Sequence, residues 1–189
     1  MAMAEPGAFE VEGPLIEAIR AGDRYAFAEL MRGHGRLVRG VILGVLGDAD
    51  RVDGVAQQVW TVVWQRIGEL RDARRLRPWL YRLARNAAID AGRSITRDRN
   101  RTRNLAGEPS AASAPPPEGG LAGQERHREV LAAIRGLPAL YREPFVLRHL
   151  NGWSYRQIAD VMGMPLDSVE TRLVRARRLL RDWLKDKVF

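Results

Sequence analysis

Residues 154–181 read SYRQIADVMGMPLDSVETRLVRARRLLR. Two short helices around a tight turn fit this stretch. Ser154 caps the first helix, and Gln157 completes a capping box. Ile158, Val161 and Met162 recur at helical spacing as its apolar stripe. Gly163 supplies the left-handed residue that ends it. A second helix turns Val169, Leu173, Ala176 and Leu180 inward and carries Arg172, Arg175, Arg177, Arg178 and Arg181 on its other faces. This is the helix-turn-helix arrangement, in which the second helix enters the DNA major groove. It also fits a plain helical hairpin with a solvated basic face, so the rest of the chain has to decide.

Working back from this motif, Asn151-Gly152 is a turn. Pro138 starts a helix through Leu140, Phe145, Val146 and Leu150, and another helix covers 125–136. Residues 104–124, NLAGEPSAASAPPPEGGLAGQ, hold no Lys or Arg and no apolar periodicity. That is the composition of a flexible linker with a stiffer step at Pro115–Pro117. Before it lies a second all-helical block. Pro14 opens a helix with Leu15, Ile16, Ile19, Phe27, Leu30 and Met31 as apolar positions, interrupted at Gly33 and Gly35. A helix through Leu37, Val38, Val41, Ile42 and Val45 ends at Gly47, and a third runs over about 49–67. After a charged loop from Glu69 to Arg77, Pro78 suits the first turn of a long helix. Trp79, Leu80, Leu83, Ala84, Ala87 and Ile89 face inward there, and Arg82, Arg85, Asn86, Asp90 and Arg93 outward. The expected organisation is all-α: an N-terminal tail (1–12), a first helical domain (13–103), a linker (104–124) and a second helical domain (125–189).

Composition narrows the function. The chain has 189 residues, 46% of them hydrophobic, and a net charge of +8. Lys occurs only at 185 and 187, so the positive charge is almost all Arg, which makes bidentate contacts to phosphate and guanine. There is no cysteine, which excludes disulfides, thiol catalysis and Cys-type zinc sites. His34, His127 and His149 have no ligand spacing, and no metal or cofactor is implied. No apolar run reaches membrane-spanning length and no signal pattern opens the chain, so a soluble cytoplasmic protein is expected.

Two segments carry a resemblance together. GDADRVDGVAQQVWTVVWQRIGEL (47–70) with RPWLYRLARNAAID (77–90) resembles conserved region two of bacterial sigma factors. The stretch from Leu131 to Leu180 resembles their region four. With only a short linker between, the layout is similar to the extracytoplasmic-function (ECF) group of the sigma-70 family.

The resemblance implies a subunit that binds core RNA polymerase at its clamp coiled coil and flap, directs it to promoters and helps open them, with no reaction of its own. The second domain would read the −35 element as duplex. Ser168, Thr171, Arg172 and Arg175 are the base or phosphate candidates, and Arg177 and Arg178 track phosphate. Two positions depart from the family: Pro165 stands in for a capping Ser, and Glu170 sits where Lys is common. The first domain would take the −10 element. Residues 71–103 hold eleven Arg against three Asp, a composition suited to single-stranded backbone. The loop from Glu69 to Arg75, with Arg71, Arg74 and Arg75, corresponds to the pocket for a flipped base. Arg82, Asn86, Asp90 and Arg93 resemble the DNA-facing row. Tyr81 is a stacking candidate, whereas Trp79 belongs to the apolar stripe.

The family's core-binding helix usually carries an acidic Asp-Ala-Glu-Asp motif. Here those positions are Arg51, Val52, Asp53 and Gly54, followed by Gln57 and Gln58, with Asp48 and Asp50 nearby. Thr61, on the same helix, is the single Ser or Thr in residues 1–93. Phosphorylation there would add nearly two negative charges. A Ser/Thr kinase acting on Thr61, or an anti-sigma factor, is the kind of regulator the resemblance implies. The competing reading of Thr61 is a residue packed between Trp60 and Trp64.

A different reading of the whole chain is a helix-turn-helix regulator with an N-terminal sensing domain. It explains the second block but leaves the 71–103 region without a purpose. An enzyme has little support, because no nucleophile–base pair, metal spacing or Gly-rich phosphate loop is present.

Overall fold

The computed structural model describes residues 6–103 and 121–185, and among these there is no strand. Four helices form the first block: α1 (Pro6–Arg20), α2 (Arg24–Leu46), α3 (Val52–Arg66) and α4 (Leu76–Arg103). Two 3-10 turns, Ile67–Glu69 and Ala73–Arg75, connect α3 to α4. Four more helices form the second: α5 (Leu121–Gly136), α6 (Ala139–His149), α7 (Tyr155–Met162) and α8 (Leu166–Lys185).

The first break in the chain differs from the expected one. Gly22 adopts φ 90° and Asp23 caps α2, its side chain accepting from the backbone N–H groups of Tyr25 and Ala26. A left-handed glycine followed by an Asp cap stops one helix and starts the next. Gly33 and Gly35, expected to interrupt, lie inside α2. Glycine inside a helix costs only about 1 kcal/mol relative to alanine, and Leu30, Leu37, Val38, Val41 and Ile42, all buried, anchor α2 on both sides of the pair. The helix ends where expected, at Gly47, with φ 68°. α1 begins at Pro6, ahead of the expected Pro14, so the expected tail is partly helical. α5 likewise begins four residues before the expected 125. The linker residues 104–120 lie outside the described residues.

The helix-turn-helix has its expected geometry. Ser154 and Gln157 form the reciprocal capping box, and Gly163 closes α7 at φ 63°. Pro165 fills the cap position of α8 with its carbonyl, which accepts from Ser168 N at 3.1 Å and Val169 N at 3.3 Å.

One continuous apolar core runs through both blocks. Leu30, Val38, Ile42, Val63, Leu76, Leu80 and Ala84 are fully buried in the first, and Leu147, Ile158, Val169 and Leu173 in the second. Each large side chain removed from water contributes about 1.5–3 kcal/mol. The blocks meet where α6 lies against α2 and where Trp153 packs 5.8 Å from the Tyr81 ring of α4.

Candidate nucleic-acid interface

α8 is oriented by its buried stripe of Val169, Leu173 and Ala176. This turns Ser168, Thr171, Arg172 and Arg175 to one shallow groove, completed by Asp167 and by Leu140 and Tyr141 of α6. Arg175 Nη1 reaches the Tyr141 hydroxyl at 3.4 Å. Arg177 and Arg178 lie outside this groove. Arg177 donates back to the Leu173 carbonyl at 3.3 Å, and Arg178 stands 3.9 Å from Asp182. Glu170 is exposed beside the groove. The first turns of α8 therefore present a mixed hydroxyl–guanidinium surface, the donor and acceptor set that reads base edges and phosphates.

On α4, Arg82, Asn86, Asp90 and Arg93 form an exposed row, with Arg93 Nη1 3.6 Å from Asp90. Arg71, Arg74 and Arg75 are exposed in the loop before it. That loop is held in shape by two ion pairs. Arg66 forks onto Glu69 at 2.7–3.0 Å, and Asp72 accepts from both the backbone N and Nε of Arg74 at 3.0 Å. The Arg74 hydrogen bonds hold the Asp72 carboxyl below the usual range. Trp79 is buried, in keeping with its place in the apolar stripe.

Tyr81 departs from the stacking role expected for it. It is 1% exposed, and its hydroxyl donates to Glu143 Oε1 of α6 at 2.7 Å. The second block covers the ring, leaving no face open to a base. Burial, and after it the Glu143 carboxylate, push the phenol far above its ordinary pKa, so it remains a donor. Arg85 Nε donates to the same oxygen at 2.7 Å. Burial is the largest single influence on the Arg85 pKa and lowers it, but the hydrogen bond and charge of Glu143, together with Tyr81, outweigh it and the net shift is upward.

On α3, Val55, Ala56, Val59, Trp60 and Val63 point inward and Gln57, Gln58 and Thr61 outward. Thr61 is thus exposed rather than packed between Trp60 and Trp64. Its Oγ1 donates to the Gln57 carbonyl at 3.1 Å. The remaining acids near this helix are each paired with Arg: Asp48 with Arg51 at 3.4 Å, Asp50 with Arg135 at 4.0 Å and Asp53 with Arg39 at 2.7 Å. The depleted motif therefore presents little free negative charge.

Residues 30–98 match the family described as Sigma-70 region 2, and residues 127–180 match Sigma-70, region 4. The ECF RNA polymerase sigma factor SigW of Bacillus subtilis is 26% identical over 178 residues, covering 90% of this chain and 95% of that protein. The RNA polymerase sigma-H factor of Pseudomonas aeruginosa is 30% identical over 179 residues, covering 90% of this chain and 92% of that protein. The chain belongs to the ECF group of the sigma-70 family.

This sigma factor carries both family regions in order, which removes the regulator reading that accounted for the second block alone. Its fold is similar to CnrH in the complex with the cytosolic domain of CnrY, at a TM-score of 0.64 and 24% identity, covering 93% of this chain and 97% of that one. It is also similar to the sigma factor RpoE in complex with the anti-sigma factor NepR from Bartonella quintana, at 0.66 and 23%, covering 84% and 96%. Sequence reasoning missed Arg142, Glu143 and the pairing of Arg85. Two adjacent charged residues inside the apolar run LYREPFVL were the available signal, since charges in such a setting are paired when buried.

Proposed function

We propose that this sigma factor divides promoter recognition between its two blocks. The α8 groove, with Ser168, Thr171, Arg172 and Arg175, takes the −35 duplex, and Arg177 and Arg178 bind phosphate on its flank. The row of Arg82, Asn86, Asp90 and Arg93, with the loop of Arg71, Arg74 and Arg75, takes the −10 strand. Tyr81 joins that surface only when the second block moves away. The exposed face of α3, with Asp50, Asp53, Gln57, Gln58 and Thr61, meets core polymerase in the cytoplasm. The observation that carries the division is the presence of two exposed DNA-suited surfaces, one on each block, each set by its own helix.

Thr61 acts as the switch for core binding. Its hydroxyl is exposed, and the acids around it are already paired with Arg51, Arg135 and Arg39. A phosphate would restore the negative charge that the helix lacks. A Ser/Thr kinase would supply it. An anti-sigma factor is the other regulator supported, given that RpoE, a protein of similar fold, is complexed with the anti-sigma factor NepR. Run-off transcription with core polymerase tests the whole reading. The parent should initiate at a promoter only weakly, Thr61→Glu more strongly and Thr61→Ala no better than the unmodified parent. If Thr61→Ala and Thr61→Glu both bind core and transcribe like the parent, the switch is wrong.

A further inference from the structure

A cleft of about 150 Å³ lies between the first turn of α4 and α7. It shares no lining residue with the α8 groove, and of the −10 surface proposed above it includes only Arg74. Pro78, Trp153 and Val161 give it an apolar wall. A closed cavity of about 150 Å³ accepts a benzene ring. The space therefore suits a single ring or a branched chain, and it is too small for a nucleotide.

The polar groups of the cleft are mostly unanswered donors. Arg77 is half-buried beside it. Its Nη2 donates to the Asn151 carbonyl at 3.3 Å, and its guanidinium lies over the Trp153 ring at 5.5 Å. Neither contact supplies a negative charge. Burial lowers the Arg77 pKa, and the charge of Glu12 makes up only part of the loss. The Glu12 carboxylate is itself engaged with His34 Nε2 at 3.4 Å. A guanidinium drawn out of water is stabilised when a carboxylate meets its fork, and the open side of Arg77 is the cleft. Arg74 gives Nε to Asp72, which leaves its two Nη groups. Gln157 Oε1 accepts from Ser154 N at 2.8 Å, so its Nε2 remains to donate. Trp153 Nε1 is buried and has no hydrogen-bond partner among the described residues. Against these donors stands one acid of the lining, Asp160, which is exposed.

We propose that this cleft is a binding site for a small aromatic monocarboxylate, its carboxylate on the Arg77 fork and its ring against Trp153, Pro78 and Val161. Arg74 and Gln157 complete the hydrogen bonds of the anion. Asp160 limits the ligand to a single negative charge, because a second one would face a like charge across a short distance. Inorganic phosphate fits less well on both counts: it carries more charge, and it leaves the apolar wall unused. Small-molecule sites commonly combine such a wall with a few convergent polar groups. Binding here calls for neither polymerase nor promoter, so it goes beyond the division of promoter recognition and does not rest on it.

The full chain alone serves for the test. Its 5 tryptophans each give an indole N–H signal in a nitrogen–proton correlation spectrum, and Trp153→Phe identifies the one from Trp153. Benzoate should move that signal saturably, with a Kd of about 1 mM or tighter, within reach of a ligand of this size. Benzamide has the same ring without the charge and should bind about tenfold more weakly. Phthalate, a dianion, should bind poorly to the parent and gain about tenfold in Asp160→Asn. Arg77→Met should weaken benzoate by about tenfold or more, the loss of a charged hydrogen bond. Val161→Phe fills the cleft with every charge kept and should abolish the benzoate shift. Should Arg77→Met fail to fold by circular dichroism, Val161→Phe and the benzoate–benzamide comparison on the parent decide. Absence of a saturable shift overturns the site, and so does equal affinity for benzoate and benzamide. Phosphate binding as tightly as benzoate overturns it too, because the apolar wall would then contribute nothing. Polymerase and promoter are absent from these titrations, so failure of the promoter reading would leave their outcome unchanged.

Discussion

The Tyr81 hydroxyl and the Glu143 carboxylate meet at 2.7 Å across 62 residues of chain, joining α4, which carries the exposed Arg82–Arg93 row, to α6, which borders the α8 groove. Tyr81→Phe keeps the ring against Trp153 and removes this bond. A buried hydrogen bond to a charged group contributes about 1.5–3 kcal/mol, and Arg85 still satisfies part of Glu143, so a loss of about 1.5 kcal/mol is expected in urea unfolding. The same variant carries a pH signature. The folded phenol has a raised pKa, caused first by burial and then by Glu143. Above the ordinary value near 10 the unfolded chain therefore releases a proton that the folded chain keeps. The Tyr81 contribution is fully present below pH 10 and falls as pH rises beyond it. The parent should lose stability faster than Tyr81→Phe in that alkaline window, and parallel curves would refute the assignment.

Arg142 donates to four backbone carbonyls: Gly44, Val45, Arg135 and Leu137. Its fork serves the ends of two helices, α2 and α5, and burial lowers its pKa. Arg142→Ala should cost about 2–4 kcal/mol because buried carbonyls lose their donor. Arg142→Lys should recover less than half of that, since an ammonium cannot match the planar fork. Gly47 adds a geometric check. It holds φ 68°, and a Cβ there would stand 2.2 Å from Arg142 Nη1. Gly47→Ala should therefore destabilise the parent by more than the left-handed strain of about 1–2 kcal/mol. In the Arg142→Ala background only that strain should remain, and a double-mutant cycle measures the difference.

The capping box at Ser154 and Gln157 starts α7. Ser154→Ala should cost about 1 kcal/mol. Hydrogen exchange should locate the loss in α7 rather than in the first block, and uniform loss of protection would argue against a local cap.

Arg172 and Arg175 line the α8 groove, whereas Arg178 does not. If all three touch phosphate, each Ala variant should reduce the salt slope of −35 duplex binding by about one. If Arg172 or Arg175 reads a base, its replacement should also relax the sequence preference, by about 1–3 kcal/mol at one base pair. Binding titrations at several salt concentrations against single-base variants of the site separate the two roles.

Legibility from sequence follows the range of the interaction. The turn at Gly163, the cap at Ser154 and the stripe of α8 depend on neighbours three or four residues away, so their pattern is visible in a linear reading. The break at Gly22 is hidden because the two glycines at 33 and 35 look like the stronger interruption, yet buried apolar residues on both sides of them keep α2 continuous. Thr61 is ambiguous in sequence for a related reason. The helical period places it near two Trp residues, and only the packing of α3 decides that Trp60 turns inward while Thr61 faces water.

By itself, then, the sequence determined an all-α chain of two basic helical blocks, a helix-turn-helix with its caps and membership of the ECF sigma factors, because caps, apolar periods and family motifs are local in the chain. The tertiary structure decided what each block does to the other: Tyr81 covered, Glu143 and Arg142 buried and paired, and Asp50 drawn toward Arg135. Those contacts join residues 58 to 98 positions apart, and Asp50 to Arg135. A buried charge has no local signature of its partner, so these pairings become visible only when α6 packs against α2.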